Sequence, residues 1–87
     1  MEARFITQVI RPDGHISHEA PSPDHLHYNW YKEYRLEVDI GGQRYAAKYR
    51  TPYSDPLTNC PDFESYVKKD LARRVGKLLT DNILDKL

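Results

Sequence analysis

The stretch Trp30–Thr51, WYKEYRLEVDIGGQRYAAKYRT, decides the fold. Tyr28, Trp30, Tyr34, Leu36, Val38 and Ile40 are apolar at even positions, with Lys32 the one exception, while Glu33, Arg35, Glu37 and Asp39 are charged at odd positions. Alternation with a period of two marks a strand with one apolar and one polar face. Gly41-Gly42 then supplies the two positive-φ residues that a two-residue hairpin turn needs, and such a turn pairs Ile40 with Gln43. That register sets Val38 opposite Tyr45, Leu36 opposite Ala47 and Tyr34 opposite Tyr49 on one face. On the other face it sets Asp39 against Arg44 and Glu33 against Arg50. Apolar meets apolar and acid meets base, so the hairpin and its register support each other.

Working outward, Arg11-Pro12-Asp13-Gly14-His15 predicts an earlier hairpin. Proline supplies the fixed φ of a type I turn and glycine the left-handed position of a three-residue loop with a bulge. Pairing Arg11 with His15 places Ile10 opposite Ile16 and Ile6 opposite Ala20. All six prolines fall between periodic segments; Pro21-Ser22-Pro23-Asp24 forms a stiff connector and residues 52–59 a loop. From about Pro61 the chain reads as helix, with Asn59 or Thr58 as its cap and with Asp62 and Glu64 in the first turn, where the dipole favours anions. Phe63, Val67, Leu71, Val75 and Leu78 fall within an arc of about 120°, a stripe suited to covering a sheet. Leu79, Ile83, Leu84 and Leu87 project outside it. A straight helix of this extent would be roughly 39 Å long, against a radius of gyration of about 12 Å for a compact chain of this size. Either it breaks near Gly76 or its overhang docks on a second subunit, a homodimer being the favoured alternative. The expected architecture is α+β: a four-stranded antiparallel sheet of two β-hairpins with one face covered by a C-terminal helix, as one domain over residues 1–87.

Composition sets the outer bounds. With 39% hydrophobic and 30% charged residues the 87-residue chain can build one modest core, and its charge is too balanced for a typical disordered segment. No apolar run approaches the roughly 20 residues of a membrane span. The start of the chain lacks a basic region followed by an apolar one, so no membrane partner is expected. A single cysteine, Cys60, excludes an internal disulfide and fits a reducing, cytoplasmic setting. The zero net charge conceals an asymmetry: residues 1–40 carry four cations and seven anions, a net of −3, whereas residues 41–77 carry eight cations and four anions, a net of +4. A patchy, neutral molecule suits a patchy protein partner better than long-range steering to a polyanion.

No constellation predicts catalysis, a cofactor or a metal. His15, His18, His25 and His27 crowd into thirteen residues but match no closed zinc spacing, and they read as loop histidines. Cys60 precedes the helix start, where the dipole lowers a thiol's pKa, but nothing in the sequence supplies its base. There is no glycine-rich phosphate loop and no nucleophile elbow.

Binding surfaces remain. Tyr31, on the polar strand face, and Tyr53, in the loop, are candidate interface anchors, together with Glu33, Arg35 and Glu37 of the charged face. This is the constellation of a small protein-binding module, an adaptor or inhibitor of the kind a phage or bacterial accessory protein provides. The alternative partner is nucleic acid, its phosphates held by Arg44, Lys48 and Arg50 of the second strand with Lys69, Arg73 and Lys77 of the helix. On that helix Glu64 precedes Lys68, and Asp70 precedes Arg74, by four residues, which predicts intrahelical pairs there and none for Lys69, Arg73 and Lys77. Leu79, Ile83, Leu84 and Leu87 are the candidate self-association set, since leaving each exposed forgoes roughly 1.5 to 3 kcal/mol of burial.

Overall fold

A computed structural model describes residues 2–19 and 29–85. Strands β1 (Glu2–Ile10), β2 (Ile16–Ser17), β3 (Tyr31–Ile40) and β4 (Gln43–Pro52) form an antiparallel sheet in the order β2-β1-β3-β4, followed by a 3-10 turn (Pro56–Asn59) and a helix, α1 (Pro61–Asp85). The chain is α+β, as its alternation predicts.

Gly41 and Gly42 both have positive φ, 57° and 80°, and the register they set is the expected one, from Ile40 opposite Gln43 to Tyr31 opposite Pro52. A two-residue turn makes its closing pair a hydrogen-bonded one, and such pairs recur at every second position. Beyond the strands the same ladder reappears, the Tyr53 N–H donating to the Trp30 carbonyl at 2.9 Å. Gln43, Tyr45, Ala47, Tyr49 and Thr51 therefore turn their backbone groups toward β3. Arg44, Ala46, Lys48 and Arg50 turn theirs away, and so does Pro52, where a missing N–H costs no ladder bond.

The first hairpin also closes as predicted. Arg11 N–H donates to the His15 carbonyl at 2.8 Å, Gly14 has φ 88°, and Ile10 faces Ile16. The proposed Ile6–Ala20 pair lies outside the described residues. Ile10 faces Tyr31 across β3, so β1 runs beside β3 along its whole length.

Tyr34, Leu36 and Val38 of β3 meet Val67, Leu71 and Val75 of α1 in the core, with Phe5, Ile40, Tyr45, Ala47, Phe63 and Leu79 packed around them. The packed helical residues step strictly by four, Phe63 to Leu79. Leu79 thus joins the core margin, and Leu78, expected in the stripe, is 45% exposed. The i, i+4 ridge is inclined to the helix axis, so a helix lying along a twisted sheet changes its buried face as it advances. No break is needed to follow that drift: α1 runs unbroken through Gly76, where a break was the less favoured of the two alternatives, and the Thr80 hydroxyl donates to the Gly76 carbonyl at 3.0 Å. The result is long, 55 × 26 × 19 Å with a radius of gyration of 15.3 Å.

One local expectation needs correction. Thr58 does not cap α1; it lies in the 3-10 turn, where its hydroxyl donates to the Asp55 carbonyl at 2.8 Å. Cys60 is extended and directly precedes Pro61, and its carbonyl accepts from Glu64 N–H at 3.2 Å, so Cys60 is the cap residue and proline takes the first helical position. The side chain of Asn59, the other predicted cap, is outside the described residues. Lys32, the break in the apolar alternation, is explained by its reach: its Nζ lies 5.2 Å from the Tyr34 ring centre and donates to the Thr58 carbonyl at 3.1 Å, tying the 3-10 turn to the sheet. Among the described residues no helix is long and apolar enough to cross a membrane.

Candidate functional site

The sheet face opposite α1 carries the charged positions of β3, namely Glu33, Arg35, Glu37 and Asp39, flanked by Arg4 and Gln8 of β1 and by Arg44, Ala46, Lys48 and Arg50 of β4. Its two glutamates lie deep and most of its bases lie shallow. Glu33 is 2% and Glu37 7% exposed, whereas the arginines around them are about half-exposed. Short carboxylates sit low on the pleat, while long guanidinium stems lean over them and keep their heads in water.

Glu33 accepts from Arg50 Nε at 2.7 Å and from Gln8 Nε2 at 2.9 Å. Burial pushes its carboxyl upward, but the Arg50 and Gln8 hydrogen bonds and the charges of Arg50 and Lys48 together outweigh that, and its pKa is lowered. Glu37 is shared by three arginines: Arg44 at 3.3 Å, Arg4 at 3.7 Å and Arg35 at 3.8 Å. Arg44 also donates to Asp39 at 2.9 Å, which lowers the Asp39 pKa and raises its own.

One carboxylate cannot fill the donors of three guanidiniums, each of which has five N–H groups. Arg35 makes the surplus explicit: its Nε is buried and makes no hydrogen bond among the described residues. Directly opposite Arg35 on β4 stands Lys48. Like charges in facing positions oppose sheet pairing. Among the described residues no carboxylate forms an ion pair with Lys48. Between these two cations Ala46 leaves a dip of about 240 Å³, lined by Arg35, Ala46, Ala47 and Lys48. The dip thus presents two cationic side chains from facing strand positions. The register that pairs Glu33 with Arg50 and Asp39 with Arg44 also pairs Arg35 with Lys48 and leaves Glu37 facing Ala46, so this signal lies in the hairpin sequence itself.

The other sequence candidates scatter. Glu33 and Glu37, expected at a partner surface, are buried beneath arginines, and Tyr31, Arg35 and Tyr53 are half-buried. Lys69, Arg73 and Lys77 are exposed on α1, which covers the far side of the sheet, so they and the β4 cations face in opposite directions. Arg73, expected to lack an acid, bonds Asp70, which also holds Arg74 at 3.0 Å; a three-residue spacing served where only four was considered. Lys68 lies over the Phe5 ring, 5.5 Å from its centre. Tyr66, which the helical pattern did not single out, is 67% exposed beside Lys69, Asp70 and Arg73.

Leu79 borders a shallow apolar groove of about 300 Å³ between α1 and β1, with Ala3, Leu36, Val38, Ala72 and Val75. The side chains of Ile83 and Leu84, and all of Leu87, lie outside the described residues. His15 and His18 are exposed, and His25 and His27 are outside the described residues. Among those described, no group of three or more His, Cys, Asp or Glu is placed to hold a metal. Cys60 is a free, half-buried thiol. No family model, curated protein or solved structure matches this chain, so the cationic sheet face is defined by its own residues alone.

Proposed function

We propose that the chain is a small protein-binding module, an adaptor or inhibitor, that holds an acidic segment of its partner on the open face of the sheet. The observation that carries this reading is the facing pair Arg35 and Lys48 beside Ala46: Lys48 has no ion pair among the described residues, and Arg35 shares Glu37, 3.8 Å away, with two other arginines. Such an arrangement costs the isolated fold some stability and is relieved by an anion from outside. The arginines of the face already share buried acids, and the whole chain is neutral. The attraction is therefore local and short-ranged, as a protein contact requires, rather than the broad field that gathers a polyanion.

Fluorescence anisotropy tests this with two labelled probes: a peptide of six glutamates in a glycine-serine frame and a 20-base-pair DNA duplex. The peptide is expected to bind, and Lys48→Glu, an exposed substitution, to weaken it about fivefold to tenfold. A duplex that binds with a steep salt dependence, while the peptide fails at low salt, overturns the reading in favour of phosphate contacts by Arg44, Lys48 and Arg50.

A further inference from the structure

Among the described residues β4 is an edge of the sheet, and its outward backbone groups belong to the same residues that carry the cationic face. The ladder parity places the N–H and C=O groups of Arg44, Ala46, Lys48 and Arg50 on the outer side of the strand. A row of such groups is a template for another extended chain. Side chains of an added strand would alternate in step with β4. Residues facing Arg44, Lys48 and Arg50 would lie on the open face; those facing Tyr45, Ala47 and Tyr49 would lie on the helix side. There Tyr49, packed edge-on against Phe63 at 6.2 Å between ring centres, is still 38% exposed.

From this geometry, and resting on the acidic-partner reading above, we infer that the β4 edge takes a short extended peptide as a fifth strand, with acidic residues at alternate positions facing Arg44, Lys48 and Arg50 and apolar residues between them. The acidic set meets the cations, its neighbours cover Tyr45 and Tyr49, and main-chain hydrogen bonds join the two. A second copy of β4 is the wrong occupant. Antiparallel self-pairing about Ala47 would set Arg44 against Arg50 twice, and like charges directly opposite are unfavourable. Nucleic acid fits less well, since it offers no peptide ladder to the outward N–H and C=O groups.

The test uses the full chain and three eight-residue peptides: glutamate alternating with valine, the same residues with the four glutamates in one block, and the alternating peptide with its glutamate nitrogens methylated. The alternating peptide is expected to bind best and to slow amide exchange at Arg44, Ala46, Lys48 and Arg50, read by NMR. Methylation keeps every charge but removes the peptide's ladder donors, and is expected to weaken binding about tenfold or more. Ala46→Pro, which deletes an outward donor at an edge position, is expected to do the same from the protein's side. If the methylated and block peptides bind as well as the alternating one, without amide protection, strand addition is overturned while acidic recognition stands. If none of the acidic peptides binds, both fall.

Discussion

At Glu33 a carboxylate is buried on a sheet face that alternation alone assigns to solvent, and its charge survives because Arg50 and Gln8 hold it. Its folded-state pKa lies below the ordinary 4.5. The folded chain therefore binds this proton more weakly than the unfolded chain, so the stabilisation is complete above that ordinary value and is lost as pH falls through the lower folded one. Replacing it with Glu33→Gln is expected to cost about 1.5 to 3 kcal/mol at neutral pH, nearer the lower figure because Arg50 is half-exposed. Denaturant midpoints of both proteins should converge as the pH drops below 4.5; a gap that stays constant to pH 3 would show that the ion pair is not its source. The partners that β4 contributes to this face could be read from Gly41-Gly42 by counting, whereas Gln8 and Arg4 arrive from β1, whose register with β3 no turn sets. Depth could not be read in this way. Whether a charged side chain lies under or over its neighbours depends on its length and on how neighbouring stems lean, which alternation does not encode.

Among the elements, α1 shows what periodicity can and cannot fix. Its existence, its start near Pro61 and the four inward residues Phe63, Val67, Leu71 and Val75 follow from the sequence. The last inward residue does not, because a fixed arc assumes that the helix meets a flat surface. The sheet's twist carries the contact line on to Leu79 and leaves Leu78 outside. Leu79→Ala is accordingly expected to lower stability by about 1 to 2 kcal/mol, below the 2 to 5 of a fully buried leucine. Leu78→Ala should stay within about 0.5 kcal/mol of the parent. Thermal melts of the two variants distinguish the phases, and the reverse order would return Leu78 to the core.

For the molecule as a whole, the order β2-β1-β3-β4 joins neighbours of unequal sequence distance. β3 meets β4 across two residues, whereas Ile10 must find Tyr31 across the intervening twenty. Closing the shorter loop costs less entropy, so the β3–β4 hairpin with α1 is expected to form the folding nucleus and β1 to dock later. In stopped-flow kinetics Val38→Ala should chiefly slow folding, while Phe5→Leu should chiefly accelerate unfolding. A mainly slowed folding rate for Phe5→Leu would place β1 in the nucleus instead.

Pro52 has a consequence in time. The outward ladder of β4 begins after the Gly41-Gly42 turn and ends at a residue with no N–H, so four residues, Arg44, Ala46, Lys48 and Arg50, are all it can offer a strand. A contact so short has few bonds to break at once, and dissociation rates track that number more closely than association rates do. An occupant of this edge would leave quickly and be replaced readily, and lasting capture would need several such segments on one partner, each rebinding before the others let go.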